Sequence, residues 1–261
     1  MKLELISQQP ENAEHDTPLL FVHGAWHGAW CWENFLPYFA KHGYEAHALS
    51  LRGHGQSGGH EGLRWHSAQD YVADVAQIAQ TFSVPPVVIG HSMGGYVVQK
   101  YLESHPAPAA VLLASIPTSG ILGFGLRLLW RHPWPFLKAH LSLNPWHMIG
   151  SPSLAQDAFF SSNLPAEAIA AHLARLQSES FRLELDAMLL DLPHPQPVKV
   201  PLLVLAAEND QVFTVAEEKK TAKAYGTTAV VFPDMAHDMM LELGWQQVAD
   251  HIINWLSTQG L

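Results

Sequence analysis

The chain has 261 residues, of which 48% are hydrophobic and 15% charged, enough apolar material to bury a sizeable core and too much for a disordered chain. A formal charge of -10 excludes the clustered Lys and Arg that a phosphate backbone requires, so no nucleic-acid partner is expected. The single cysteine, Cys31, excludes an intrachain disulfide and a cysteine zinc cluster.

In chain order, residues 1–16 are polar and acidic and lack the basic-then-apolar order of a signal peptide. No stretch approaches the ~18 uninterrupted apolar residues of a membrane span, since the run from Ile121 to Trp130 is broken by Arg127. A cytoplasmic protein is expected, without membrane contact. Short apolar runs at 19–22, 45–51, 87–89, 110–114, 202–206 and 229–232 read as strands, several of them covered on both faces. Between them Tyr71, Val75, Ile78 and Phe82 recur at helical spacing behind a Ser67/Asp70 cap. Trp245, Val248, Ile252 and Trp255 mark a final helix. This alternation is that of an α/β domain with a mostly parallel sheet flanked by helices. It fails over 117–197, which is rich in Trp, Phe, Leu and Pro and reads as short helices without strands. The strands on either side need each other, so the expected organisation is a core of residues 1–116 and 198–261 with a helical cap or lid insertion at 117–197.

Chemistry concentrates at the ends of the strands. Val87-Val88-Ile89 runs into Gly90-His91-Ser92-Met93-Gly94, and Tyr96 to Gln99 open a helix. Gly-x-Ser-x-Gly between a strand and a helix is the sharp turn that lifts a serine hydroxyl above a sheet, beside a helix N-terminus. A serine needs a base and the base an orienting acid. Both should follow later strands in the order serine, acid, histidine. Asp210 lies in the loop after 202–206 and His237 in the loop after 229–232. Glu208, Asp234 and Asp238 are rival acids, Asp238 the weakest because a sequence neighbour points away from the ring. No Asp or Glu lies between Glu103 and Asp157, which removes an acid after the earlier strand. The tetrahedral oxyanion of acyl transfer needs two N–H donors. They are expected from Met93, which follows the serine, and from Ala25 in the loop His23-Gly24-Ala25-Trp26.

His23 and His27 are four apart, but the glycines around them and the preceding strand argue against a helix, and no Glu lies between them as a zincin would need. No metal and no cofactor are expected.

The His23–Trp26 loop, the elbow and the Asp210 and His237 loops together resemble the α/β-hydrolase superfamily over nearly the whole chain. Leu51-Arg52-Gly53-His54-Gly55-Gln56-Ser57 resembles the loop after an early strand in many members. Residues 23–32 are similar to the oxyanion segment of plant methylesterases and their hydroxynitrile lyase relatives. The resemblance implies the α/β-hydrolase fold with a helical lid after the sixth strand. Ser92 stands where dehalogenases and epoxide hydrolases of this fold have aspartate, and Gly24 where the lyases have threonine, which favours hydrolysis. Carbon–carbon bond hydrolases often have asparagine at the position of His91.

Between Ser104 and Gln156 there are three basic residues, no acidic ones and five aromatics, Phe124, Trp130, Trp134, Phe136 and Trp146. Trp26, Trp130, Trp134 and Trp146 are expected to bind substrate. The expected activity is hydrolysis of a small or medium-sized carboxylic ester through an acyl-enzyme, with that small-molecule ester as the expected partner. The alternatives are a carbon–carbon or enol-lactone hydrolase, a lipase-like enzyme at membranes, and a ligand receptor on the same fold.

Overall fold

The computed structural model describes residues 1–261. Seven strands, β1 (Glu4–Gln8), β2 (Leu19–Val22), β3 (Ala46–Ser50), β4 (Val87–His91), β5 (Ala110–Leu113), β6 (Leu202–Ala207) and β7 (Ala229–Phe232), form one sheet. Their order is β1-β3-β2-β4-β5-β6-β7, and every pairing but β1 with β3 is parallel. β1 was not expected from the sequence. It is an edge strand of sequence Glu-Leu-Ile-Ser-Gln, with no extended apolar run, held by its antiparallel register with β3 and by hydrogen bonds of Glu4 with Gln56 and Ser57.

The strand period of two divides the core between the two faces of the sheet. Leu19, Phe21, Val87, Ile89, Val111, Leu113, Leu203 and Leu205 join one buried cluster, which α1 (Phe35–Lys41) covers with Phe35 and Phe39. Leu20, Val22, Val88, Ala110, Leu112, Leu202 and Val204 join the other, covered by α2 (Ala68–Ala79) and α3 (Met93–Leu102). α2 begins with a reciprocal capping box between Ser67 and Asp70.

Between β5 and β6, after the fifth strand of this sheet and not the sixth that the resemblance implied, the chain forms only helices, α4 (Leu122–Arg131), α5 (Pro133–Ser142), α6 (Pro152–Phe159), α7 (Ala166–Leu173) and α8 (Phe181–Leu185). α9 (Val215–Ala224) then connects β6 to β7, and α10 (Trp245–Thr258) closes the first face with Val248, Ile252 and Leu256. Polar bonds fasten the inserted helices to the core, among them Arg127 of α4, which donates to Glu217 and to the Val212 carbonyl. No helix is long and apolar enough to cross a membrane.

Candidate active site

β4 ends at His91 and α3 begins at Met93, which leaves Ser92 alone in the turn at φ 51° and ψ −116°. Such a conformation costs a non-glycine residue about 1–3 kcal/mol and persists only where its surroundings enforce it. Here the Ser92 N–H donates to the Leu113 carbonyl, and its own carbonyl accepts from Ile116 and Tyr96. The two flanking glycines are steric requirements. A Cβ at Gly90 would meet the backbone of Gly94 and Gly95, and one at Gly94 would meet the backbone of Val22 and His23.

The Ser92 hydroxyl donates to His237 Nε2 at 2.9 Å, and His237 Nδ1–H donates to Asp210 Oδ2 at 2.8 Å. Asp210 Oδ1 in turn accepts from the N–H groups of Val212 and Phe213, at 2.7 and 2.9 Å. All three side chains are buried. Burial lowers the affinity of His237 for a proton, but the charge and hydrogen bond of Asp210, with the charge of Asp238 added, outweigh it and hold the imidazole pKa above its ordinary value.

Of the rival acids, Glu208 and Asp234 are exposed, and the Glu208 carboxylate reaches the Asp234 N–H rather than the imidazole. Asp238 is fully buried and accepts from His27 Nε2 at 3.0 Å. The other nitrogen of His27 donates to the Ala25 carbonyl at 2.7 Å. Asp238 is thereby turned toward His27 and away from the His237 ring. His91 donates Nε2–H to the His237 carbonyl, and its pKa is lowered to about 3, first by burial and then by the neighbouring His237. It is neutral.

The loop from His23 to Trp26 presses against the elbow, and a Cβ at Gly24 would lie 2.6 Å from His91 Nδ1 and 3.1 Å from Ser92 Cβ. The Gly24 carbonyl accepts from His23 Nδ1–H and the His27 N–H, and the Trp26 carbonyl accepts from the Gln177 N–H. The N–H groups of Ala25 and Met93 have no partner within the protein, and both residues border the same cavity as Ser92.

That cavity is narrow, with a volume of about 60 Å³, and 11 of its 16 lining residues are hydrophobic. Ile121, Phe124, Met148 and Leu183 come from the inserted segment, Val212 and Phe213 from the core, and Trp26 from the histidine loop. The other three expected tryptophans do not line it. Trp130 is 85% exposed and Trp134 74% exposed, while Trp146 is half-buried against the core. The reason is helix rotation. Ile121 and Phe124 point α4 toward the cavity, whereas Leu122, Leu126 and Trp130, at i, i+4 and i+8, share the solvent face.

Sequence reasoning missed Glu179, a carboxylate with only 6% exposure on the cavity wall. It accepts from His54 Nε2, the Tyr71 hydroxyl and the N–H groups of Ser180 and Trp26. His54 also donates Nδ1–H to the Arg52 carbonyl and so is cationic. Burial pulls the His54 pKa down, but the Glu179 charge and hydrogen bond raise it above the ordinary value, and the same pairing lowers that of Glu179 against its own burial. Nothing in the sequence marks position 179, because its partners lie in other loops. His91, His237 and Asp238 bring ligand-type atoms within 4.8 Å of one another. Both ring nitrogens of His237 are committed, to Ser92 and Asp210, and a cation there would have to break one of those bonds, whereas His91 Nδ1 and Asp238 Oδ1 have no hydrogen-bond partner.

A serine, an imidazole and a carboxylate in series at the carboxyl ends of parallel strands, under a helical insertion, define a hydrolase of the open α/β-sheet type. The chain belongs to the alpha/beta hydrolase family, whose model matches residues 19–251. It is 36% identical over 104 residues to a non-heme chloroperoxidase of Streptomyces lividans, a match that covers 38% of this chain and 37% of that protein. It is 24% identical over 253 residues to a monoacylglycerol lipase of Mycolicibacterium smegmatis, covering 91% of this chain and 87% of the lipase. Among solved structures, an esterase from Exiguobacterium antarcticum superposes with a TM-score of 0.76 at 16% identity, over 98% of this chain and 95% of that one. At that identity the likeness is one of fold.

Proposed function

We propose that this protein is a serine hydrolase of carboxylic esters with apolar acyl or alcohol groups of small to medium size. The observation that carries the reading is the hydrogen-bonded series Ser92–His237–Asp210 facing an apolar cavity between two unpartnered N–H groups. In this cycle His237 Nε2 takes the Ser92 proton as Oγ bonds to the ester carbonyl carbon. The Ala25 and Met93 N–H groups hold the resulting oxyanion. Collapse breaks the bond to the alcohol oxygen, which takes the proton from His237 and leaves an acyl-serine. A water then gives its proton to His237, attacks the acyl carbon and releases the carboxylic acid with Ser92 restored. Asp210 keeps the imidazole in its Nδ1–H tautomer and stabilises the imidazolium. The segment 117–197 serves as the lid that supplies the apolar wall, so the specificity of the enzyme resides largely there.

The test is a panel of p-nitrophenyl esters of graded acyl length, with a fluorophosphonate label mapped by peptide mass. Hydrolysis lost in Ser92→Ala, with the adduct on Ser92, supports the reading. An adduct elsewhere, or turnover preserved in Ser92→Ala, refutes it.

A variant of this reading, action at a lipid–water interface, is favoured by one observation. Leu122, Leu126 and Trp130 on α4 and Trp134, Leu137 and Leu141 on α5 are all exposed, beside Arg131 and Lys138. It requires turnover to rise sharply once a sparingly soluble ester passes its solubility limit. A smooth saturation curve through that limit leaves the soluble-ester reading alone.

A further inference from the structure

The loop that carries the Ala25 N–H is pinned through its Gly24, Ala25 and Trp26 carbonyls and the Trp26 N–H. His23 and the His27 N–H hold the Gly24 carbonyl, the His27 ring holds the Ala25 carbonyl, and the Gln177 N–H holds the Trp26 carbonyl. The Trp26 N–H donates to Glu179 Oε2 at 3.3 Å. Trp26 stands at φ 66°, a left-handed conformation that a bulky residue keeps only under external restraint. Both restraints on this residue come from one short stretch of the inserted segment, Gln177 through its backbone and Glu179 through its side chain.

Glu179 is itself held on four sides. Oε2 also accepts from the doubly protonated His54 at 3.0 Å, and Oε1 accepts from the Tyr71 hydroxyl at 2.9 Å and the Ser180 N–H at 2.6 Å. Tyr71 belongs to α2 and His54 to the loop after β3, so the carboxylate is referenced to the rigid core while it grips the turn at Trp26. A carboxylate this buried, on the wall of a largely apolar cavity, is costly unless such partners surround it.

We propose that Glu179 is a positioning residue for the oxyanion hole. It fixes the Ala25–Trp26 peptide and, through the Ala25 backbone torsions, steadies the preceding peptide, whose N–H is aimed at the place where negative charge develops over Ser92. It acts through Trp26 and touches no reacting atom. The inference rests on the ester-hydrolase reading, because it presupposes that Ala25 donates to the oxyanion. It also gives the inserted segment a second task besides lining the cavity, since the oxyanion loop is complete only when residues 177–179 are docked. A misdirected donor weakens the transition state more than the bound substrate, because the ground-state carbonyl carries little charge.

The experiment compares Glu179→Gln with the wild type in three readouts: kcat and KM for a p-nitrophenyl ester, inhibition by an alkyl trifluoromethyl ketone, and melting temperature. The ketone adds to the serine and leaves an oxyanion in the hole. The amide that Glu179→Gln introduces has one oxygen to offer four donors, so the grip on Trp26 loosens while the volume stays. The expected result is a fall in kcat of about tenfold to a hundredfold, the size of effect that small misplacements of a reacting geometry produce. KM should stay within about threefold, and the ketone should bind more weakly by the same factor as kcat falls. Gln177→Ala, which removes the side-chain bonds to the Gly53 carbonyl and the Gly55 N–H, loosens the same segment yet keeps the backbone bond to Trp26. It should lower the melting temperature and, because it reaches Trp26 only through the docking of the segment, lower kcat and ketone affinity together by less than Glu179→Gln does; a loss as large as that of Glu179→Gln would assign the effect to docking of the segment and overturn the specific role of the carboxylate. Should Glu179→Gln not fold, Tyr71→Phe keeps the ring and removes one donor, and a smaller loss of kcat and ketone affinity together is expected. Unchanged ketone affinity and kcat in the folded variant, with only a lower melting temperature, overturns the proposal. A wild type that neither hydrolyses the ester nor binds the ketone refutes the ester reading instead.

Discussion

Replacing Asp210 by asparagine tests the proposed base more sharply than removing the base itself, because the structure dictates how the amide must sit. Asp210 Oδ1 accepts two backbone N–H groups, from Val212 and Phe213, while Oδ2 accepts only His237 Nδ1–H. In Asp210→Asn the carbonyl oxygen will stay with the two N–H donors, since the reverse orientation sets the amide NH₂ against both. The NH₂ then faces His237 Nδ1, which must become an acceptor, and the remaining proton moves to Nε2. An Nε2–H imidazole cannot take the proton of Ser92 Oγ, 2.9 Å away. In a triad of this logic the wrong tautomer costs up to ~10⁴ in turnover, equivalent to about 5.5 kcal/mol at 1.36 kcal/mol per tenfold. The assay is steady-state hydrolysis of a p-nitrophenyl ester, paired with nitrogen NMR of labelled histidine to read the tautomer. Glu208→Gln and Asp234→Asn, both at exposed positions, should lie within about threefold of the wild type, since surface changes shift free energies by about 0.5 kcal/mol or less. Turnover within tenfold of wild type in Asp210→Asn, or an Nδ1–H signal that persists there, refutes the reasoning.

Trp130→Ala and Trp134→Ala should leave acyl-chain preference unchanged, whereas Phe124→Ala, on the cavity wall, should shift selectivity between butanoate and octanoate esters by several-fold, at ~0.8 kcal/mol or about fourfold per methylene; a profile altered by either tryptophan and not by Phe124 contradicts the cavity assignment. The raised pKa of His237 means that the base gains its proton earlier as pH falls, so the acid limb of kcat/KM should lie above 6.5. Because the Asp238 charge contributes to that rise, Asp238→Asn should move the limb to lower pH, and a limb that stays or moves upward counts against the coupling. Glu218 is buried without a hydrogen-bond partner, and burial, followed by the charges of Asp210 and Glu217, raises its pKa well above 4.5. Its folded form therefore binds a proton that the unfolded chain releases first, so the wild type loses stability as pH climbs from about 4.5 toward the folded value. Glu218→Gln should remove that slope in urea titrations across pH, and an unchanged slope would assign it to another group.

Local chemistry made much of this protein legible in its sequence. Continuous apolar runs mark strands covered on both faces, and the two glycines around Ser92 announce a turn that no side chain at positions 90 and 94 could share. The order of Ser92, Asp210 and His237 follows from which strands end in which loops. Other features depend on contacts that no periodicity carries. β1 has no extended apolar run and forms where β3 offers it an edge. Asp234 and Asp238 lie beside the base in sequence and Glu208 and Asp210 share the loop after β6, and only packing brings Asp210 to 2.8 Å from His237 while it turns Asp238 to His27. The tryptophans of α4 and α5 are conspicuous in the sequence, yet the rotation of each helix about its axis is set by what it packs against, and that rotation leaves Trp130 and Trp134 in solvent and Phe124 on the cavity wall. Glu179 meets Trp26 across 153 positions of sequence. A contact so distant is made by the whole fold, through the sheet that carries one loop and the insertion that carries the other, and for that physical reason it becomes visible only in three dimensions.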